Sequence, residues 1–432
     1  MAATPFHNPK CPRLSTRKSR AFCFLPSRGR SALPIALFFL FIVFSFPLLC
    51  RQAPAIGPEE QTETFPKDSS SSARAILQQD STADADEEEF VIVSYNVENF
   101  FDPTDDPHTA DEEFLPDAPR RWTPYRFRQK ADAIGRAIIA CGEQLPPALV
   151  GLCEVESDSA LHTLIRHSIL RQAGYRYIRT TGSDSRGIQN ALLYQPERFR
   201  LLHSESISIP ILRRNTPHPT RDILHACGRL LSGDTLDVFV VHLPSRSGGE
   251  IATRPLRLQA AQHLKQMADS IARKRSTPYL ILMGDFNDHP DDPSLAHILR
   301  ALPPPHPILP DGLRIPRRER NRILSRQDTL LPHRLYNTAY PLRKAIPGTY
   351  KHKGDWQIID HILLSGTFFL PGSPLRLPTR CAEISRHPTL LQPDPKYLGL
   401  RPYRTYYGFR HQPAGTSDHL PLILRTRQRK AF

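Results

Sequence analysis

From Phe90 onward, short apolar runs alternate with longer amphipathic stretches, a rhythm that predicts an α/β or α+β domain. The runs Phe90–Tyr95, Ala148–Cys153, Gln189–Tyr194, Leu236–Val241, Tyr279–Met283, Ile358–Leu364 and Leu420–Leu424 are brief and nearly all apolar, so each predicts a buried strand. Helical spacing appears between them. Phe127, Ala131, Ile134 and Ile138 mark one face of a helix over Arg126–Gln144, and Leu256, Leu264, Met267 and Ile271 mark another over Arg254–Lys274. A shorter helix is predicted to start at Asp158, whose carboxylate can accept hydrogen bonds from the free amides of a first turn. Leu302–Pro347 and Gly366–Thr416, rich in Pro with Arg and Tyr, break the rhythm and predict long surface excursions. Of these, Leu302–Arg326 reads as a solvated insertion; the other Arg and Tyr residues suit contacts to phosphates and bases.

Polar residues cluster where the predicted strands end. Asn96 follows the first run, Glu154 the second, His242 the fourth, and Asp285-Phe286-Asn287-Asp288 the fifth. Asp360-His361 lies inside the sixth, and Ser417-Asp418-His419 immediately precedes the last. Taken singly, an Asp or His after a strand is more often a turn residue or a surface cap. Together they supply carboxylate and amide oxygens for a hard cation, and histidines with carboxylates to orient them for proton transfer. Ser417 sits beside an Asp-His pair in one short motif, which is not the dispersed arrangement of a serine-hydrolase triad. The acidic loop Asp102–Asp106, continuing to Asp111-Glu112-Glu113, lacks the glycine and terminal glutamate of a helix-loop-helix calcium site and reads as solvated. Gly182, Gly187, Gly248 and Gly249 form no phosphate-cradling motif and serve turns, while Trp356 could stack on a base or fill the core.

Charge changes the picture mainly at the N-terminus. The chain of 432 residues carries a formal +14, but residues 1–55 hold eight Lys and Arg and no acid, leaving 49 basic against 43 acidic residues beyond them. That basic stretch precedes an apolar run over Ile35–Cys50 and then Ala53-Pro54-Ala55, the order of an export signal, with an uncleaved membrane anchor as the alternative. Residues 56–89, rich in Ser, Asp, Glu and Gln, read as a disordered linker. Beyond the leader remain Cys141, Cys153, Cys227 and Cys381, which permit disulfides in an oxidising compartment; Cys153, ending an apolar run, reads as a buried hydrophobe. No cysteine or histidine spacing suggests structural zinc.

The motifs Ser94-Tyr95-Asn96-Val97-Glu98-Asn99, Cys153-Glu154-Val155, Gly284-Asp285-Phe286-Asn287 and Ser417-Asp418-His419 resemble those of the endonuclease/exonuclease/phosphatase superfamily, which includes deoxyribonuclease I, exonuclease III, sphingomyelinases and inositol polyphosphate phosphatases. Pro219–Leu224 and Pro244–Gly249 resemble an uncharacterised exported bacterial branch of it. The resemblance covers a catalytic domain over residues 90–427 and implies an α+β fold, a four-layer αββα sandwich of the deoxyribonuclease I type. It implies Mg²⁺ as cofactor, with Mn²⁺ or Ca²⁺ as alternatives, held by Glu154 with Asn96 and with Asp418 completing the site. His419 would be the general base oriented by Asp360. Asp285 and Asn287 would position water and phosphoryl oxygens, His242 would act from the other side of the phosphate, and Arg221 would clamp a phosphate. The implied reaction is direct attack of water on a phosphodiester, with nucleic acid as the expected substrate and no protein partner indicated. Phospholipid or sugar-phosphate hydrolysis and a non-catalytic binding module are the alternatives; a membrane-active enzyme would expose an aromatic hairpin, for which Tyr403, Tyr406, Tyr407 and Phe409 are the nearest candidates.

Overall fold

Each predicted apolar run becomes a strand in the computed structural model, which describes residues 87–305, 332–378 and 382–429. The leader, residues 56–86, most of Leu302–Arg326 and Cys381 lie outside the described residues. In chain order the sheet strands are β1 (Glu87–Phe100), β2 (Leu149–Val155), β3 (Arg176–Arg179), β4 (Gln189–Tyr194), β5 (Phe199–Ile207), β6 (Ile223–Leu230), β7 (Thr235–His242), β8 (Tyr279–Asp285), β9 (Leu335–Asn337), β10 (Asp360–Ser365), β11 (Leu375–Arg376), β12 (Ala382–Ile384) and β13 (Leu422–Arg429). The long helices are α1 (Pro124–Ile139), α2 (Asp158–His167) and α3 (Glu250–Lys274).

These strands form one sheet of seven, in the order β11–β13–β1–β2–β4–β3 with β12 also on β13, and one of six, in the order β9–β10–β8–β7–β6–β5. Strand alternation shows how the sheets stack. Val238, Val240, Ile281 and Met283 join the core that also contains Val150 and Leu152 of β2 and Ile134 and Leu161 of α1 and α2. Their neighbours Phe239, Val241, Leu280 and Leu282 face the opposite way, into a second core with Ala260, Ala261 and Leu264 of α3. Successive residues therefore serve different layers, and the result is the expected αββα sandwich. The sheets approach closely at Gly151, where a Cβ would lie 2.9 Å from Met283 Cε.

Some expectations need correction. The linker was expected to reach Glu89, yet β1 begins at Glu87, because Glu87, Glu88 and Glu89 each find a cation: Arg376, Arg198 and Arg425, at 2.7, 3.3 and 3.4 Å. Helix α1 stops at Ile139, short of Gln144, where the chain turns back through Gly142. Asp158 does not cap α2; Ser157 does, its side chain accepting from the Ala160 amide at 3.1 Å. Strands β5 and β6 were not predicted, since the apolar pattern of β6 is interrupted by His225, which Glu205 and Asp237 hold between them at 2.9 and 3.0 Å. Cys141, Cys153 and Cys227 are free, buried thiols. Among the described residues no helix is long and apolar enough to cross a membrane.

Candidate active site

Sheet register assembles the site. β1 runs parallel to β2 and β7 parallel to β8, so Asn96, Glu154, His242 and Asp285 all come at the same end of their strands. In register, Asp285 sits opposite His242 on one side and Asp360 on the other. His419 joins through the turn before β13: its amide is bound to Ser417 Oγ at 3.0 Å, and that hydroxyl donates to Asn96 O at 2.6 Å. Ser417 is thus a brace for His419.

Asp285 is the hub. Its Oδ2 accepts from Asn96 Nδ2 at 3.0 Å and lies 3.5 Å from His242 Nε2 and 3.8 Å from His419 Nε2, while Oδ1 accepts from the Asn287 amide at 2.9 Å. Asn96 Nδ2 also reaches Glu154 Oε1 at 3.3 Å, and the Asn99 amide donates to Glu154 Oε2 at 2.8 Å. His419 Nδ1 is 2.7 Å from Asp360 Oδ2, which fixes the tautomer that leaves Nε2 facing the site. Tyr350 lies against the His419 ring, with centroids 4.9 Å apart.

Burial and charge divide the two histidines. Burial, with the Arg221, Arg186 and His419 charges, holds His242 well below the usual histidine range, so its imidazole is neutral. Burial also opposes a charge on His419, but Asp360 and then Asp285 outweigh it and hold that ring well above the usual range. Burial pushes Asp285 up to about 7, with Asp360 adding to the push against the pull of His419. Backbone strain gathers here too. Among the described residues nine non-glycines have positive φ, and Glu98, Asn99, Glu154 and Asn287 of these are at the site, where hydrogen bonds tie Glu98 to Asn96, Asn99 to Glu154 and Asn287 to Asp285.

The structure brings Asn96, Glu154, His242, Asp285, Asn287, Asp360 and His419 together. Arg221 is deeply buried, donating to Leu243 O at 2.7 Å and approaching Asp184 at 3.5 Å; burial and then its charge keep His242 neutral. Asp418 turns to Arg404, at 3.3 Å. Three residues escaped sequence reasoning. Arg404 also pairs with Glu98, and Lys130, buried on α1, donates to Glu98 O. A lysine on the apolar face of a predicted helix was the available signal for Lys130; for Glu98 it was its place in the first motif.

A divalent cation fits this donor set. Asp285, Asp360 and His419 present ligand atoms all within 4.8 Å of one another, but His419 Nδ1 and Asp360 Oδ2 are committed to each other. The better fit is against Glu154 and Asp285, whose Oε1 and Oδ2 both accept from Asn96 Nδ2, at 3.3 and 3.0 Å, so that two hard oxygens face one point.

The fold and this donor set define a metal-dependent hydrolase of phosphate esters. The chain belongs to the endonuclease/exonuclease/phosphatase family, whose model matches residues 91–306 and 320–428. Similar solved structures include an endonuclease/exonuclease/phosphatase family protein from Bacteroides thetaiotaomicron, at 14% identity and TM-score 0.45, covering 79% of this chain and 98% of that one. The human nocturnin catalytic domain with bound sulfate is 17% identical, with TM-score 0.43 and coverage of 79% and 97%. Humanized D. rerio TDP2 is 16% identical, with TM-score 0.44 and coverage of 78% and 98%. No curated protein matches the chain.

Proposed function

We propose that this protein is a Mg²⁺-dependent phosphodiesterase acting on nucleic acid as an endonuclease or nonspecific nuclease. The observation that carries the reading is the His419–Asp360 pair, with the free nitrogen of His419 turned toward Asp285. His419 Nε2 takes a proton from the attacking water, and Asp360 stabilises the imidazolium that forms. Asp285 and Asn287 orient that water and the phosphoryl oxygens. Neutral His242 donates a hydrogen bond from the opposite side of the phosphate. Glu154 with Asn96 and Asp285 would hold a divalent metal ion, which would supply withdrawal of charge from the phosphoryl group.

Nucleic acid is favoured by a cavity of about 150 Å³ in which Lys353, Lys396 and Arg401 lie with Tyr350, Tyr397 and Tyr407, beside Asp418 and the Lys351–Asp394 ion pair at 2.9 Å. Cations for phosphates and rings for bases are what a single strand needs from a protein surface. The aromatic hairpin that a membrane-active enzyme would expose is largely packed away: Tyr406 is buried against Trp122, leaving Phe409 as its exposed ring. The basic and apolar leader supports export from the cytoplasm.

The test is cleavage of supercoiled plasmid and single-stranded DNA by the full chain, with Mg²⁺ and with chelator, beside His419→Ala. Magnesium-dependent cutting that the variant loses is the expected result. Failure to cut either DNA, while a small chromogenic phosphodiester is still hydrolysed, would reject nucleic acid as substrate and keep the chemistry.

A further inference from the structure

Arg221, the arginine expected to clamp a phosphate, is 7% exposed, with Nη2 given to Leu243 O at 2.7 Å and Nε buried without a partner. It also approaches Asp184, whose Oδ2 lies 3.5 Å from Arg221 Nη1 and whose Oδ1 lies 3.6 Å from Arg186 Nε. One carboxylate thus stands between two guanidiniums. The group keeps one positive charge in excess, and the outer arginine presents it: the Arg186 side chain is 45% exposed, makes no hydrogen bond among the described residues, and comes no closer to a carboxylate than that 3.6 Å. Asp222, beside Arg221 in the chain, is turned to Ser206 at 2.7 Å.

An exposed arginine is usually a solvated surface charge. Position separates Arg186 from that class. β4 pairs antiparallel with β2, Gln189 lying opposite Val155, so Arg186 stands just before β4 at the end where Glu154 emerges. β6 pairs antiparallel with β7, Leu224 lying opposite Val240, so Arg221 stands beside the end of β7 that carries His242. After burial and Arg221, it is the charge of Arg186 that keeps His242 neutral. Sheet order then separates two flanks. β13 and β10 lie on one side, joined by the His419–Asp360 pair, while β4 and β6 lie on the other, where Asn190 Nδ2 donates to Asp222 O at 2.8 Å. The basic cavity beside Asp418 belongs to the first flank, through Tyr350 against His419, and Arg186 belongs to the second. Glu154 and Asp285 are between them.

We propose that Arg186 grips the substrate phosphate next to the scissile one, on the His242 flank, with Asp184 and Arg221 as its positioning residues. A carboxylate behind Nε leaves Nη1 and Nη2 to fork two phosphate oxygens. The side chains of His242 and Asp285 are 3% and 2% exposed, so the scissile phosphate must come down to them, whereas half-exposed Arg186 meets the chain one nucleotide further out. A strand held in this way runs from the basic cavity across the metal-binding carboxylates to Arg186. The assignment rests on the nuclease reading and makes a polynucleotide, not a small ester, the preferred substrate.

The experiment compares the full chain with Arg186→Met in Mg²⁺ on a single-stranded oligothymidylate and on bis(4-nitrophenyl) phosphate, which has a single phosphate. The preference for the strand, as the ratio of the two kcat/KM values, is expected to fall about tenfold in the variant. Binding of the same strand is then measured in a His419→Ala background, which leaves it uncut. Adding Arg186→Met should make the plot of log association constant against log salt shallower by about 0.7, the slope of one phosphate contact on a single strand. Arg186→Lys, which keeps the charge without the fork, should keep the slope and recover only part of the ratio. Arg186→Gln takes the place of Arg186→Met if that variant does not fold. With a native chain that cuts the strand, an unchanged ratio or an unchanged slope overturns the assignment and leaves the nuclease reading intact. So does an equal loss on both substrates with a lowered Tm, the mark of a structural arginine. A native chain that hydrolyses the ester and leaves the strand uncut rejects the nuclease reading, and the assignment with it.

Discussion

Two groups of carboxylates adjoin at the end of β2, where Glu154 belongs to one and Glu156 to the other, and they are built to opposite plans. The catalytic group mixes Glu154, Asp285 and Asp360 with His242, His419 and the amide of Asn96, so its charges sit beside groups that can take up or hand on a proton. The loop group, Asp102, Asp111 and Glu156, is surrounded by backbone amides and Ser157. Residue type is therefore a poor guide to role. A buried carboxylate next to imidazole tunes a base, whereas one with no cation beside it is driven to hold a proton.

The largest expected effect is on the catalytic side. His419→Ala should lower kcat by about 10²–10⁴-fold with little change in Tm, measured by phosphodiester hydrolysis and thermal unfolding. A large Tm loss with modest rate loss would make His419 structural and erase the contrast between the groups. Next, Arg257→Met should cost about 3–5 kcal/mol in denaturant unfolding, because it strands Asp288 in the interior.

Asp360→Asn should reduce kcat/KM by roughly 10²-fold and move its pH profile. A base must be deprotonated to act, and Asp360 holds the His419 pKa well above 6.5, so the ascending limb of the native enzyme lies on the alkaline side. Removing the carboxylate charge shifts that limb to lower pH. Stability carries the matching sign: the pair's contribution is full below pH 6.5, the ordinary histidine value, and fades as pH rises through the raised pKa, so the native-minus-variant difference should shrink in alkaline buffer. An unmoved limb would mean that another group supplies the base. The smallest effect should come from Ser157→Ala, which removes the α2 cap and a donor to Asp102 for about 1 kcal/mol by chemical denaturation.

Much of this site was legible in one dimension. A buried strand must be apolar until it emerges, so the polar residue where it ends is conspicuous; Asn96, Glu154, His242 and Asp285 were visible for that reason. His419 and Asp360 were flagged by their places at the last and sixth runs, their pairing was implied by the resemblance, and the structure brings them within 2.7 Å. Where polar residues lie in loops, periodicity has nothing to say. Asp418 turned to Arg404, Arg221 gave donors to Leu243 O and Asp184, and of the loop acids Asp102 and Asp111 were buried while Asp105, Asp106, Glu112 and Glu113 stayed exposed.

By itself, the sequence determined which residues face a core and where each strand releases its polar end, since alternation and helical spacing are local properties of the backbone. Tertiary structure alone decided which of those ends meet. The register of β8 with β7 and β10 puts Asp285 between His242 and Asp360, and no local pattern records which strands become neighbours. The same holds for burial of Asp111 and Glu156: whether a loop carboxylate meets water, an arginine or another carboxylate depends on what packs over it, and so does its charge.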